Sequence, residues 1–202
     1  MKQVTRVVGT VCPLDRADVD TDQIIPKQFL KRIDRSGFGP FAFWGWRYDE
    51  NGEPVRDFPM NRPEHRDASI LLSGPNFGCG SSREHAVWAL DDAGFEAIVA
   101  PSFADIFRTN CTKVGVVTVE LLGGVIRQLF DLVADDPTVT VTIDLRGQTI
   151  SAPGLDTATF DVDPHVKHRL VNGLDDIGLT SQHADAIDAF EEHRPAWLPS
   201  LR

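Results

Sequence analysis

The sequence predicts an α/β protein built around a parallel β-α-β-α-β unit. Short apolar runs at residues 69–73, 96–100 and 116–121 are separated by two segments with helical periodicity. Strands that alternate with helices in this way favour a parallel sheet with right-handed crossovers. A run of period 2 at residues 138–145 adds half-buried β-structure outside this unit. The length of 202 residues and the 42% hydrophobic content fit a single domain over residues 1–202.

The first 67 residues are the least regular part of the sequence. Residues 4–11 are strand-like, and an acidic stretch rich in turn residues follows at 13–26. Residues 27–67 hold eight aromatic side chains, many glycines and many charges, without a period of 2 or 3.6. Long loops inside compact domains are usually functional or disordered. We therefore expect a long, irregular, partly mobile loop there, with a short hairpin at Asn51-Gly52.

Two helices complete the central unit. Residues 82–93 predict the first, because apolar residues recur at every third position and Gly94 follows as a stop signal. Residues 102–113 predict the second, and Gly115 comes soon after it. Each predicted helix therefore connects two of the three buried strands.

The second half of the chain combines strands and helices, and we expect it to pack against the parallel unit. The period-2 strand at 138–145 turns at Arg146-Gly147 into a second strand. The remaining predicted elements are a helix near 125–134, the second strand at 148–152, a strand at 157–163, a short helix at 164–173 that stops at Gly173, and an amphipathic helix at 180–193.

Composition argues against several classes of protein. The formal net charge is −10, and an acidic chain without basic runs is a poor nucleic-acid binder. The sequence has no apolar signal segment and no run near the roughly 20 residues that span a bilayer, so we expect a cytoplasmic protein without membrane contact. Cys12, Cys79 and Cys111 are widely spaced and form no CxxC pair. We therefore expect no disulfide and no metal site held by this chain alone.

The sequence GPNFGCGSSREHA, residues 74–86, lies between a predicted strand and a predicted helix. We call its first ten residues, 74–83, the serine loop. Glycines at such a junction suit phosphates, because backbone N–H groups and the helix dipole face the anion. A nucleotide loop would also need Gly-Lys-Ser/Thr or an acidic residue about 20 positions further on, and neither is present. A serine hydrolase would need G-x-S-x-G, which does not occur here.

Two compatible interpretations of the serine loop remain open. In the first, Ser81 and Glu84 form an S-x-x-E capping box with Ser81 as N-cap, and Arg83 and His85 are solvated first-turn residues. In the second, the helix N-terminus binds a carboxylate and Arg83 clamps it with two hydrogen bonds. Positive potential there would favour a deprotonated Ser81 oxygen, so that a general base would lie beside an anion site.

Four segments resemble the aconitase superfamily, and the resemblance covers nearly the whole chain. It is strongest to the small-subunit family of isopropylmalate dehydratases, also called isopropylmalate isomerases. The serine loop and the Asp-Thr-Asp-Gln motif are the specific parts of the resemblance. The segments are VDTDQIIPKQFLKRI at 19–33, NFGCGSSREHAVWAL at 76–90, IVAPSFADIFRTN at 98–110 and NGLDDIGLT at 172–180.

The resemblance implies a swivelling β/β/α domain and a hydro-lyase reaction. The implied reaction isomerises 2-isopropylmalate and 3-isopropylmalate through 2-isopropylmaleate, by dehydration and rehydration, in leucine biosynthesis. It also implies a separate large subunit that carries a [4Fe–4S] cluster, in a heterodimer or heterotetramer. This chain would hold no cofactor, because three unclustered cysteines cannot supply the family's cluster motif, and it would be active only with its partner.

Within the implied enzyme, the irregular segment 27–67 makes sense as a lid and a contact with the large subunit. A branched apolar substrate needs apolar walls. Phe38, Phe41, Phe43 or Trp44 are the residues expected to line them.

The resemblance also implies roles for individual residues. Ser81 matches the base that removes the proton next to a substrate carboxylate, and Arg83 matches a ligand of a substrate carboxylate. Asp22 matches an active-site aspartate, although an aspartate there also fits a turn or a helix cap. Ser82 either donates a hydrogen bond to substrate or caps the helix. His85 is interpreted as structural.

Two other functions stay open at the level of sequence. A sister hydro-lyase, acting on homoaconitate, citraconate or a dimethylmalate, would use the same chemistry and the same residues. A non-catalytic binding or regulatory domain would use the capped helix only for interaction. The joint presence of Asp22, Ser81 and Arg83 argues against the second alternative.

Overall fold

The computed structural model describes residues 1–31, 35–195 and 197. Within them the chain forms β-strands and α-helices joined by turns and short 3-10 segments. The strands are β1 (Arg6–Gly9), β2 (Val11–Leu14), β3 (Ile70–Ser73), β4 (Ala97–Ala100), β5 (Val117–Glu120), β6 (Val141–Asp144), β7 (Thr149–Ala152) and β8 (Leu155–Thr159). The helices are α1 (Thr21–Ile24), α2 (Trp44–Arg47), α3 (Glu84–Asp92), α4 (Asp105–Val114), α5 (Gly123–Asp135), α6 (Pro164–Asn172), α7 (Asp176–Ser181) and α8 (Ala184–Glu192).

One sheet is parallel, with the strand order β2-β3-β4-β5. Helix α3 connects β3 to β4 and helix α4 connects β4 to β5, so the predicted β-α-β-α-β unit is confirmed. Strand β2 extends the sheet on the other side of β3, with Val11 opposite Ile70 and Leu14 opposite Ser73. β3 and β4 are buried along their whole length, as expected for strands covered on both faces.

The other sheet is antiparallel, with the order β1-β6-β7-β8. The single strand predicted at residues 4–11 is in fact two strands, because β1 pairs with β6 here and β2 pairs with β3 in the parallel sheet. The chain changes sheet at Thr10, between them. Gly9 permits the close approach at this point, because a Cβ there would lie 1.9 Å from Ser69 Oγ.

The parallel sheet forms the middle layer of the molecule. Alternate residues of a strand point to opposite faces. Leu71 and Ile98 pack with α3, α4 and part of segment 27–67 in one core cluster. Ile70 and Val99 pack with α5 and the antiparallel sheet in a second cluster. This order of helices, parallel sheet and antiparallel sheet agrees with the predicted β/β/α architecture.

Segment 27–67 is irregular, as predicted, apart from α2 and short 3-10 segments. The predicted hairpin is present, because Tyr48 and Pro54 form an antiparallel bridge around Asn51-Gly52. Residues 32–34 lie outside the described part of the chain, and the expected mobility and lid function of the segment stay predictions.

The aromatic residues of this segment do not share one role. Phe38 and Phe43 have no exposed surface and belong to the core, which corrects their assignment to the walls of a substrate pocket. Phe41 and Trp44 are half-buried and pack on Phe29, with ring centroids 4.2 Å and 5.3 Å away. Composition alone could not separate the two pairs, because all four side chains have similar hydrophobicity.

The C-terminal helices depart from prediction in one respect. Helix α6 ends at Gly173, which has a φ of 67°, as expected of a C-terminal stop. The single helix predicted at 180–193 is instead α7 followed by α8, and Ile187 and Phe190 on its predicted apolar face are exposed. Across the described ranges, we find no helix with the length and apolar character needed to cross a membrane.

Candidate active site

The serine loop leaves the carboxyl end of β3, beside the segment that leaves the carboxyl end of β2. In open α/β sheets, ligands bind at this edge. The second segment carries Asp20, Thr21 and Asp22, about sixty residues earlier in the chain. The fold therefore brings the two specific sequence motifs side by side.

Backbone hydrogen bonds join the two segments in a short parallel pairing. The Asp18 N–H donates to the Pro75 carbonyl at 2.9 Å, and the Gly78 N–H donates to the Val19 carbonyl at 2.8 Å. The Asp18 carboxylate also accepts a hydrogen bond from the Asn76 side-chain amide at 2.7 Å. These bonds fix the path of the serine loop before it reaches the two serines.

Glycine is required where the serine loop turns. Gly78 has a φ of 77°, and a Cβ at that position would lie 2.1 Å from Cγ of the Phe107 ring. Gly80 has a φ of 88°, a conformation that L side chains rarely adopt. The glycines that resemble a phosphate cradle therefore serve close packing and left-handed turns.

The capping box predicted at Ser81 and Glu84 is not formed. Helix α3 begins at Glu84 with Arg83 as its N-cap, and no side chain bonds to this cap. Ser81 thus lies two residues before the N-cap, where the helix dipole acts more weakly because its effect is confined to the first turn. The interpretation of Ser82 as a helix cap also loses support.

A capping box is present on α1. The Asp20 carboxylate accepts hydrogen bonds from the N–H groups of Asp22 and Gln23, at 2.6 and 3.0 Å. The Gln23 side-chain oxygen accepts in return from the Asp20 N–H at 2.9 Å. The capping aspartate of this motif is therefore Asp20, which leaves the Asp22 carboxylate available to a second partner.

That partner is Arg83. Both terminal nitrogens of the Arg83 guanidinium donate to Asp22, Nη1 to Oδ1 and Nη2 to Oδ2, the latter at 3.0 Å. The Arg83 side chain is 11% exposed and that of Asp22 is 36% exposed, so the pair lies partly inside the protein. A guanidinium has five N–H donors. Asp22 takes two, which leaves Nε–H and one proton on each terminal nitrogen for another anion.

Ser81 and Ser82 are exposed, and the structure places them directly before the Asp22–Arg83 pair. No other described residue accepts from or donates to either hydroxyl group. The Ser81 carbonyl, in contrast, is held: Thr21 Oγ1 donates to it at 2.8 Å. All four predicted site residues therefore lie at one place, and the two serines are exposed there.

The cysteines do not form a cluster site. Cys12 in β2 and Cys111 in α4 are buried, and burial raises the pKa of the Cys12 thiol to about 12 and that of Cys111 well above its usual value. Thiolates, not thiols, bind metals. The described residues include no group of three or more His, Cys, Asp or Glu side chains placed to hold a metal ion. An iron–sulfur cluster therefore does not fit the part of the chain that the structure describes.

Cys79 lies in the serine loop itself and is partly exposed. Partial burial raises the pKa of its thiol, and the negative charges of Asp20 and Asp18 raise the pKa further. The neutral thiol is therefore the stable form beside Ser81 near neutral pH.

His85 is packed rather than solvated. Its ring lies edge-on to Phe38 at 5.5 Å between centroids and is tilted against Trp88 at 4.7 Å. These contacts support a structural role for His85, which stays a prediction, and they replace the expected solvation with aromatic packing.

Two residues of the site are not evident as site residues in the sequence. Thr21 binds the Ser81 carbonyl, and Asp20 forms the real capping box. The D-x-x-Q spacing of Asp20 and Gln23 is a sequence signal for that box, as good as the S-x-x-E spacing at Ser81. No local signal marks Thr21, because its partner is sixty residues away.

Comparisons with known proteins agree along the whole chain. The family model described as the aconitase C-terminal domain matches residues 1–123, which include the site. A model described as LeuD_N matches residues 127–164. A third model, which describes the C-terminal domain of the 3-isopropylmalate dehydratase small subunit, matches residues 176–201.

Curated relatives cover the chain from end to end. The 3-isopropylmalate dehydratase small subunit of Rubrobacter xylanophilus is 54% identical over 201 residues, with 100% of each chain covered. The one from Neisseria gonorrhoeae is 55% identical and covers 100% of this chain and 99% of its own. The one from Bacillus licheniformis is 53% identical over 190 residues, which are 94% of this chain and 95% of the relative.

A solved structure supports the same fold. The crystal structure of 3-isopropylmalate dehydratase from Methanocaldococcus jannaschii superposes with a TM-score of 0.66 at 26% identity. The match covers 92% of this chain and 99% of that one. Sequence and fold thus point to the same family.

Proposed function

Since the chain belongs to the family of 3-isopropylmalate dehydratase small subunits, we propose that it isomerises 2-isopropylmalate and 3-isopropylmalate together with a large subunit. The reaction is a dehydration to 2-isopropylmaleate followed by rehydration, as a step of leucine biosynthesis in the cytosol. The observation that carries the proposal is the pairing of the serine loop with the Asp20–Asp22 segment, which assembles Ser81, Ser82, Asp22 and Arg83.

Ser81 is the proposed base. Removal of a proton from the carbon next to a carboxylate needs a base and a positive group that stabilises the enediolate that forms. Ser81 is an exposed residue, and its hydroxyl group has no hydrogen-bond partner among the described residues, which leaves the group available to a substrate. Arg83, two residues further on, supplies the positive charge that would stabilise the enediolate.

Arg83 is the proposed ligand of the substrate carboxylate. Its remaining N–H donors suit a carboxylate, because a guanidinium binds such groups with paired hydrogen bonds. Asp22 holds the guanidinium by its two terminal nitrogens and so orients these donors. Ser82 is exposed next to Arg83 and donates a further hydrogen bond to substrate in this proposal.

The large subunit is proposed to supply the [4Fe–4S] cluster, since the cysteines of this chain do not fit one. The steps assigned to this chain concern only the substrate carboxylate and the proton on the neighbouring carbon. Half-buried Phe41 and Trp44 remain the aromatic candidates for contact with substrate or partner.

The test is reconstitution with a cluster-bearing large subunit. We expect the two chains to co-purify and to form 2-isopropylmaleate from either isopropylmalate. The absorbance of 2-isopropylmaleate measures the reaction. Each chain alone should be inactive. Activity of this chain without a partner would overturn the two-subunit proposal. Parallel assays with homoaconitate, citraconate and dimethylmalate test the identity of the substrate. If one of these acids gives a higher kcat/KM than isopropylmalate, that acid is the substrate and the proposal of isopropylmalate is wrong.

A further inference from the structure

We propose that Thr21 is a positioning residue. Its hydroxyl group holds the Ser81 carbonyl and thereby fixes the position of the Ser81 hydroxyl oxygen. This inference rests on the proposed role of Ser81 as the base. Thr21 is not expected to touch substrate, because the residue is only 2% exposed.

Thr21 binds the serine loop at two points. Its N–H donates to the Cys79 carbonyl at 2.9 Å, and its Oγ1 donates to the Ser81 carbonyl at 2.8 Å. Between these two carbonyls lies Gly80, which has a φ of 88°. Glycine restricts the backbone least of all residues. The Thr21 hydroxyl therefore holds the Ser81 carbonyl next to a residue that restricts the backbone little.

The Thr21 hydroxyl is itself held in place. Thr21 is the first residue of α1, directly after the N-cap Asp20 and its capping box. A β-branched side chain has few χ1 rotamers, so the oxygen has a defined position once the helix is formed. The next residue of the same helix is Asp22, which holds Arg83. One turn of helix thus positions both the proposed base and the proposed carboxylate ligand.

The hydrogen bond can be tested without any activity. Ser81-Ser82 is the only Ser-Ser pair in the sequence. Protein labelled with carbonyl-13C serine and 15N serine therefore gives a single correlation between the Ser81 carbonyl carbon and the Ser82 amide. A carbonyl that accepts a hydrogen bond has a deshielded carbon. We expect Thr21→Val to move this resonance upfield and Thr21→Ser to leave it close to the wild-type position.

The positioning role is tested by kinetics of the two-chain enzyme. A displacement of about 1 Å in an active site can cost on the order of 10²-fold in rate. We expect Thr21→Val and Thr21→Ala to lower kcat by about 10–10²-fold, with KM within about threefold of wild type. Thr21→Ser, which keeps the donor, should restore kcat to within about threefold.

The outcomes separate the two proposals. Wild-type enzyme that is inactive on every substrate would count against the proposed function, while the serine resonance would still report on the bond. A kcat retained by either Thr21→Val or Thr21→Ala, or a resonance that does not move in Thr21→Val, would overturn the role of Thr21. A similar loss of kcat in Thr21→Ser would also overturn the role of Thr21, because this variant keeps the hydroxyl group that the proposal holds responsible.

Discussion

The proposed role of Arg83 depends both on its positive charge and on the planar arrangement of its N–H donors. A lysine at this position would keep the positive charge but would lose the planar pair of donors that Asp22 holds. A hydrogen bond to a charged group contributes about 1.5–3 kcal/mol. We therefore expect Arg83→Lys in the assembled enzyme to raise KM for isopropylmalate by about 10–10²-fold, since each 1.4 kcal/mol is tenfold.

The matched control for this variant is Arg108→Lys. Arg108 on α4 also forms two ion pairs, with Asp105 and Glu120, but it is half-exposed and neither partner belongs to the serine loop or to the Asp20–Asp22 segment. Its replacement should leave KM within about twofold, as expected for exposed pairs. Equal KM values for the two variants would show that Arg83 does not bind the substrate carboxylate.

Cys79 reports on the charge around the serine loop. Burial and the carboxylates of Asp20 and Asp18 raise the pKa of its thiol. Only the thiolate reacts with iodoacetamide. In the folded chain, the alkylation rate of Cys79 should therefore rise with pH through a midpoint above that of the same cysteine in urea. A midpoint at or below the value in urea would mean that the loop carries more positive than negative potential.

The positions of the site residues were predictable where a motif carries them. Asp22, Ser81, Ser82 and Arg83 are found at one site, as the resemblance implied, and their catalytic roles stay predictions. Thr21 could not be found in the same way, because a buried hydroxyl bound to a distant carbonyl leaves no pattern in a single sequence.

At the scale of elements, the path of the serine loop depends on Gly78. An alanine there would need a φ of 77° and would place its Cβ 2.1 Å from the Phe107 ring. Left-handed strain costs about 1–2 kcal/mol and overpacking about 1–3 kcal/mol. We expect Gly78→Ala to lower the free energy of unfolding by at least about 2 kcal/mol, measured in urea.

Gly45→Ala is the control for the glycine variant. Gly45 is exposed in α2, and a Cβ there would meet no atom within 4 Å. An alanine in a helix is about 0.5–1 kcal/mol more favourable than glycine. The control should thus be neutral or slightly stabilising. A Gly78 variant as stable as the Gly45 variant would contradict the close packing of the loop on α4.

The elements that agree best with prediction are those that a local sequence pattern determines. The strands β3, β4 and β5 and the helices between them follow from apolar runs, periodicity and terminal glycines. The capping box at Ser81 failed because pairing of the serine loop with residues 18–21 fixes its backbone, and the helix starts only at Glu84. The change of sheet at Thr10 was missed although Gly9 interrupts the predicted strand, and a glycine inside a strand often marks a bulge or a close approach of backbone.

At the scale of the whole molecule, three layers place the site at the carboxyl edge of the parallel sheet. That architecture follows from element order and was predictable. Which aromatic residues of segment 27–67 are buried was not predictable, since the segment has no period that assigns faces. The exposed face of α8 was predicted as apolar, but only the structure shows that it lies uncovered by the described chain.

The most direct test of the whole account is the turnover of the assembled enzyme with Ser81→Ala, compared with Ser82→Ala. The two serines are adjacent, exposed and chemically identical. A comparison of the two variants therefore separates the effect of losing the proposed base from the effect of losing a neighbouring hydrogen-bond donor. Loss of a general base lowers kcat by about 10²–10⁴-fold. We predict such a loss for Ser81→Ala, and a change mainly in KM for Ser82→Ala. Full activity of Ser81→Ala in the assembled enzyme would contradict the account and would favour a non-catalytic role for this chain.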